Sequence, residues 1–502
     1  MRRISPYFSF FVAAAVFLLY FFGLGSVGLV GPDEPRYAQV AREMLDTGDY
    51  VTPRLGGEPW LEKPPLYYWL AAASFRLLGV NELAARLPCA LAGVLFLPLF
   101  AWIVGRLYRG ETARYAVLVL ASSFGWFGYS HGASPEILFT APLAGALGLF
   151  GLWLWLTRPV LVWAAYALLA LAVLAKGPTA IVLTGIVLAS YSLAVREFRW
   201  IRRLLAPGPL LLFFLIALPW YVAVWARHGN TFLEEFIIRH HFRRFMSEEL
   251  AHPGPWWYYL PVLAGLLFPW TAHLALPIID AVSAGWRGLL KDPRRAYLAA
   301  WIVPIFVFFS LSKGKLPGYL LVVTPPLAIW IGHELANAAR SRVRPVALVQ
   351  AVLLPVVLLL AEALPVALAR GLSRAEISLA TLDPDLALAS VIGGGAVLLA
   401  WTAWRERRLA TALLATALTA FAVARTITVV APAVDRLASA RPLAERILAL
   451  GIPLDQLALA PGVRRHVEYG LEFYLNRQFP RSTDARYVVL PDGEIQATPP
   501  GP

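Results

Sequence analysis

Long apolar runs separated by short polar breaks set the pattern of this chain. Runs such as Phe8–Val30, Leu210–Val224 and Val346–Leu360 approach the roughly 20 residues that cross a bilayer as a helix. About thirteen spans are expected on this criterion. They lie near 8–30, 84–106, 114–131, 137–157, 160–175, 178–195, 208–226, 258–280, 297–311, 319–337, 345–365, 385–403 and 409–430. Phe8–Val30 follows Met-Arg-Arg as a signal peptide would. It is too long for a signal h-region and lacks a small-residue cleavage pattern before Pro32, so it reads as a retained first helix.

Two breaks are longer than a connection needs. Residues 31–83 and 227–257 mix aromatics with both charge signs. In the first, Asp33 or Glu34 falls where a helix cap belongs, with Pro35 at the first helical position. Tyr37, Val40, Ala41, Met44 and Leu45 recur at helical spacing opposite Arg36, Gln39, Arg42 and Glu43, and Gly48 can end the run. That pattern predicts a short amphipathic helix lying in the membrane interface. Pro64-Pro65 open a second, with Glu62-Lys63 at its polar start, and residues 231–246 form a third.

Composition turns the pattern into a class. Apolar residues make up 59% of the 502 positions and charged residues 15%, against about 45–50% and 25% in soluble domains. A soluble enzyme, a disordered tail and a disulfide scaffold are excluded. The chain is an all-α polytopic membrane protein. Its single cysteine, Cys89, sits in an apolar run, and no internal repeat stands out.

The net charge of +13 acquires meaning only on this topology. Arginines crowd alternate loops: Arg2 and Arg3; Arg106, Arg109 and Arg114; Arg158; Arg196 to Arg203; Arg287 to Arg295; Arg340 to Arg344; Arg405 to Arg408. The positive-inside rule puts these loops in the cytoplasm. The N-terminus is then cytoplasmic, and the polar stretch 431–502 forms a small outer α/β domain beyond a membrane domain of residues 1–430.

Only five basic residues are lysines, and Lys63, Lys176, Lys313 and Lys315 fall at the predicted outer side, against that rule. Such a cluster suits an anionic lipid phosphate. Snorkelling side chains are the competing reading. Arg239, His240, Arg243 and Arg244 add a cationic stripe on one helix face, suited to phosphate oxygens. Glu136, opening a span, is a carboxylate at the edge of hydrocarbon and therefore a functional candidate. A plain helix cap competes for Glu136 and for Asp33-Glu34. A histidine such as His241 is ordinarily a satisfied polar residue.

Taken in order, these motifs form a recognisable set. Asp33-Glu-Pro-Arg-Tyr-Ala, Glu62-Lys-Pro-Pro-Leu-Tyr-Tyr-Trp, Ala175-Lys-Gly-Pro, Arg239-His-His-Phe-Arg-Arg-Phe, Pro255-Trp-Trp-Tyr-Tyr-Leu-Pro and Phe309-Ser-Leu-Ser-Lys-Gly-Lys-Leu-Pro-Gly-Tyr resemble the bacterial aminoarabinose transferases. These are GT-C glycosyltransferases related to the protein O-mannosyltransferases. The resemblance runs from residue 31 to about 330 and continues weakly through Glu468-Tyr-Gly-Leu-Glu-Phe-Tyr-Leu-Asn-Arg.

The resemblance implies a GT-C fold in the bacterial inner membrane. It also implies transfer of a sugar from undecaprenyl phosphate to an envelope acceptor such as lipid A, usually with inversion. Asp33 would be the principal catalytic carboxylate, with Glu136 as the second acid where relatives usually carry aspartate. Glu34, Arg36 and Tyr37 would line the cavity. Lys63, Lys176, Arg243, Arg244, Lys313, Lys315 and Tyr319 would neighbour the substrate or the carrier phosphate. Glu62 and His241 match positions that hold a structural zinc, although two ligands are too few for zinc. No nucleotide cofactor or nucleic-acid partner is expected. His240, where relatives often have glutamate, and a C-terminal part of about 70 residues, shorter than in the lipid A enzymes, leave the acceptor open. Transfer of mannose or another hexose to a protein or glycan is the alternative within enzymes. A lipid-linked sugar flippase is the alternative outside them, and it would place charges near the midplane in repeated halves.

Overall fold

The computed structural model describes residues 20–21, 23–236, 239, 254–341, 435–436 and 438–497. Among these residues six apolar helical stretches are long enough to cross a bilayer. They are α3 (Glu82–Leu107), α6 (Pro135–Leu156), α7 (Pro159–Lys176), the stretch Pro207–Phe236 that contains α9 (Pro207–Phe232), α12 (Pro293–Leu311), and Pro317–Asn337, where a 3₁₀ turn leads into α13 (Thr324–Ser341). Helix α8 (Thr179–Val195) is apolar and, at 17 residues, one residue shorter than α7. The chain is a multi-pass membrane protein. The expected spans at 345–365, 385–403 and 409–430 lie outside the described residues, as do most of 8–30 and the boundary near 430.

Two expected spans are not single helices. Residues 114–131 divide into α4 (Gly110–Ala121) and α5 (Phe124–Ser130). The hydroxyls of Ser122 and Ser123 donate back to the carbonyls of Leu118 and Val119 at 2.6 and 2.5 Å, which competes with the helical ladder. Residues 258–280 become α10 (Tyr259–Leu266) and a second helical segment beginning at Thr271, bent 117° apart. That segment leads into α11 (Ala275–Lys291).

Helix α6 is the axis of the bundle and is buried on nearly every side. Gly145, Gly148 and Gly151 recur every third residue along it, a row that admits close neighbours. A Cβ on Gly151 would lie 2.7 Å from the Tyr297 ring of α12, and one on Gly148 3.1 Å from Ile103 of α3.

Helices α1 (Asp33–Thr47) and α2 (Leu66–Leu78) are too short to cross and pack against each other at one end of the bundle. Gly48 ends α1 in the left-handed region at φ 67°, as expected. The start of α1 differs from expectation. Pro32 occupies the cap and Asp33 is the first helical residue, and no side chain caps the helix. Both acids are drawn to arginines instead.

A short antiparallel pair, β1 (Arg54–Leu55) and β2 (Glu58–Pro59), links α1 to α2. The C-terminal domain is α/β. Helices α14 (Arg441–Ala449) and α15 (Arg465–Leu475) pack on a sheet ordered β3 (Leu457–Leu459), β4 (Tyr487–Val489), β5 (Ile495–Ala497), with β3 and β4 parallel and β5 antiparallel.

That domain is tied to the bundle. Helix α15 packs on α1, and Arg42 donates to the Phe473 carbonyl at 2.8 Å. Tyr474 donates to Glu82 at 3.0 Å and accepts from the Leu29 N–H at 2.8 Å. Asp435 accepts from the Gly28 N–H at 2.8 Å and pairs with Arg441, which also reaches Glu82 at 3.2 Å.

Candidate functional site

The first turn of α1 sorts its two acids by helical position. Glu34 points inward and Asp33 outward. The Glu34 carboxylate accepts from Arg86 twice, at 2.7 and 3.1 Å, and from the N–H groups of Val30 and Ala133 at 2.7 Å each. Arg86 is 5% exposed and spends its remaining donors on the carbonyls of Leu24, Val27 and Gly28 at 2.7–2.8 Å. Glu34, expected among the substrate ligands, is therefore saturated by protein donors and joins α1, α3 and the loop before α6.

Asp33 keeps its side chain 61% exposed and contacts Arg36 of the next turn at 2.7 Å. Arg36 is 12% exposed and also faces Glu62 at 3.8 Å, while Glu62 pairs with Lys63 at 2.9 Å. Acid and base alternate through this cluster from two segments about thirty residues apart. Burial works against the charge of Arg36, and the field of Tyr37, Glu62 and Asp33 outweighs it and raises its pKa. Tyr37 and Tyr68 lie buried behind the cluster. Burial first, and Glu62 second, hold both hydroxyls protonated far above their usual range.

A second group forms where α6 begins and α7 ends. These helices are antiparallel neighbours, so Glu136 at the start of one meets Lys176 at the end of the other at 2.8 Å. The Lys176 ammonium also lies 5.1 Å from the Tyr319 ring. Gly318 must lack a side chain here, because a Cβ would come 2.8 Å from Glu136 and 3.1 Å from the Tyr129 hydroxyl.

The loop before Tyr319 supplies Lys315, which donates to the carbonyls of Ser310 and Ser312 at 2.8 and 2.9 Å and sits 5.5 Å from the Tyr259 ring. Burial lowers its pKa. Lys313 is exposed on the same loop. The two groups share one electrostatic neighbourhood, since Glu62, Asp33 and Glu136 all act on the Tyr37 hydroxyl.

Arg239 pairs with Glu235 at 2.9 Å. Arg243, Arg244, His240 and His241 lie outside the described residues. Glu62, the other expected metal ligand, faces Arg36 at 3.8 Å and Lys63 at 2.9 Å. Among the described residues no three of His, Cys, Asp and Glu gather into a metal-holding group.

The site also includes Trp60, Tyr68, Tyr129, Tyr259, Arg86 and Tyr469, none of which stood out individually as a candidate in the sequence. Most are aromatic, and aromatic residues are so common in this chain that only their place around the charges distinguishes them.

The family model described as dolichyl-phosphate-mannose-protein mannosyltransferase matches residues 62–225. The chain is 35% identical over 337 residues to the undecaprenyl phosphate-alpha-4-amino-4-deoxy-L-arabinose arabinosyl transferase of Edwardsiella ictaluri, covering 66% of this chain and 59% of that protein. The Pseudomonas aeruginosa protein of the same name is 35% identical over 334 residues, 64% of this chain and 58% of that protein. The chain thus spans about three fifths of the curated relatives it matches. Its structure is similar to that of ArnT from Cupriavidus metallidurans bound to undecaprenyl phosphate. The TM-score is 0.74 and the identity 25%, over 95% of this chain and 86% of that one. Helical bundle, clustered end and relatives agree in likening this chain to the aminoarabinose transferases, and its fold is shared with the solved ArnT structure.

Proposed function

We propose that the chain transfers 4-amino-4-deoxy-L-arabinose from undecaprenyl phosphate to a phosphate of lipid A at the outer face of the inner membrane. One observation carries this reading. An exposed carboxylate, Asp33, paired with Arg36, shares one electrostatic neighbourhood with Glu62 and Glu136, whose partners are Lys63 and Lys176. The names of the relatives supply the sugar and the carrier.

In this reading the polyisoprenyl phosphate is the leaving group. Lysines placed around it neutralise the charge that grows as the glycosidic bond breaks, in a setting partly screened from water, where such charges count for more. The buried hydroxyls of Tyr37 and Tyr68 stay protonated and remain hydrogen-bond donors. A lipid A phosphate is already anionic, so Asp33 need not remove a proton. It orients the acceptor through Arg36 or stabilises oxocarbenium-like charge. A hydroxyl acceptor would instead use Asp33 as general base. The match to the mannosyltransferase family model favours, as second reading, transfer of mannose or another hexose to a protein or glycan.

The proposal places the N-terminus in the cytoplasm and the C-terminal domain outside. Arg294, Tyr108 and His333 meet at the end where α3 and α13 finish and α12 begins, with Arg294 5.4 Å from the Tyr108 ring. Arginine there fits a cytoplasmic face.

The deciding experiment reconstitutes the purified chain with the sugar-loaded carrier and lipid A. Release of free undecaprenyl phosphate together with a pentosamine mass increment on lipid A is expected. Release with modification of protein or glycan alone would overturn the acceptor. No release with any acceptor would overturn the glycosyltransferase reading.

A further inference from the structure

Arg36 is held in a cage of three aromatic rings that come from three different parts of the chain. Its guanidinium carbon lies 5.1 Å from the ring of Tyr37 on α1, 5.3 Å from Trp60 in the loop before α2, and 5.8 Å from Tyr469 on α15 of the C-terminal domain. Its Nε is buried without a hydrogen-bond partner, so hydrogen bonds alone do not fix the plane of the group. Ring faces attract a guanidinium and set its orientation. The orientation matters because Arg36 presents its Nη2 to Asp33 at 2.7 Å and its Nη1 toward Glu62 at 3.8 Å. A small turn of the guanidinium moves both contacts.

We propose that Tyr469 is a positioning residue of the site, through which the C-terminal domain completes the reaction centre on the membrane domain. Tyr37 and Trp60 are local to Arg36 in sequence, whereas Tyr469 is more than four hundred residues away and arrives only when α15 docks on α1. The half-buried Tyr469 ring packs against the edge of the bundle core, but polar ties elsewhere also hold the docked domain. Arg42 to Phe473, Tyr474 to Glu82 and Asp435 to Gly28 hold the domain without involving Tyr469. Loss of the ring therefore frees Arg36 while the domain stays attached. The inference rests on the glycosyltransferase reading for its consequence in turnover, and on geometry alone for its effect on Arg36.

Two measurements test it. In the reconstituted reaction, Tyr469→Ala is expected to lower kcat about tenfold to a hundredfold, the scale of a misplaced reacting group. KM for the carrier and the melting temperature should stay near wild type. Tyr469→Phe, which keeps the ring, should restore most of kcat. Tyr469→Ala within twofold of wild type would overturn the proposal, as would a Phe variant as poor as Ala. So would a loss matched by a melting shift as large as that of the docking control Arg42→Gln.

The second measurement needs no turnover. In a Cys89→Ser background, Asp33→Cys places a thiol beside Arg36, and the pH dependence of its alkylation reads the thiolate that Arg36 stabilises. Removing the Tyr469 ring should move that profile to higher pH by at least half a unit. An unchanged profile would overturn the proposal even if no sugar transfer were ever detected. Absence of turnover in the wild-type chain would instead overturn the functional reading.

Discussion

Removing the Glu34 carboxylate should unfold the junction between α1, α3 and the loop before α6 before it touches chemistry. In the folded protein all five N–H donors of Arg86 are used, two on Glu34 and three on the carbonyls of Leu24, Val27 and Gly28. Glu34→Ala leaves that guanidinium charged, buried and without its counter-ion. Breaking a buried pair in this way costs about 3–5 kcal/mol. The N–H groups of Val30 and Ala133 also lose their acceptor, at about 1–3 kcal/mol each if no water replaces it. The terms overlap because one cavity serves all of them, so a loss of at least about 3 kcal/mol is expected. Glu34→Gln keeps one acceptor oxygen and loses the charge, and should cost less, about 1.5–3 kcal/mol. Equilibrium unfolding in mixed detergent micelles measures both variants. A double-mutant cycle with Arg86→Leu should return a coupling of about 2 kcal/mol or more. If Glu34→Ala unfolded like wild type while carrier binding collapsed, the structural role would be refuted and Glu34 would stand as a substrate ligand.

Asp33→Asn should reduce transfer about 10²–10⁴-fold if the carboxylate acts as a base, with unchanged melting because Asp33 makes no cap hydrogen bond. An activity within a few-fold of wild type would remove Asp33 from the mechanism. Lys176→Met should raise KM for the carrier more than tenfold, whereas Lys291→Met, on α11 away from the cluster, should leave it unchanged; equal effects would refute a phosphate role. Glu472, buried on α15, has its carboxyl pushed up to about 7 by burial and by Glu468 and Glu43. Because its folded pKa exceeds the unfolded one, stability should fall as pH rises from the ordinary carboxylate range through about 7. Glu472→Gln should therefore melt higher than wild type at pH 8 and alike at pH 5, and identical melting at both pH values would refute the coupling.

Much of this protein was legible before any folding. The spans follow from hydrophobic length, because the bilayer asks only for enough apolar residues in a row and for internally satisfied backbone. The short helix at 33–47 followed from spacing, and Lys63 and Lys176, conspicuous because arginine was used almost everywhere else, pair with Glu62 and Glu136. Where the pattern misled, local backbone features decided the outcome. A predicted span divides at Ser122 and Ser123, whose hydroxyls bond back to their own helix, and Pro32 takes the cap position in place of the acids.

What only the tertiary structure decided is which charges meet. Asp33 and Glu34 are adjacent and chemically alike, and no sequence rule separates them. A helical turn of about 100° per residue sends one to solvent and the other to Arg86. Lys176 finds Glu136 because antiparallel packing of α6 and α7 brings distant ends together. Tyr469 reaches Arg36 because α15 docks on α1. Periodicity reports the environment each residue prefers. Partners separated by forty or four hundred residues are chosen by packing, which periodicity does not encode.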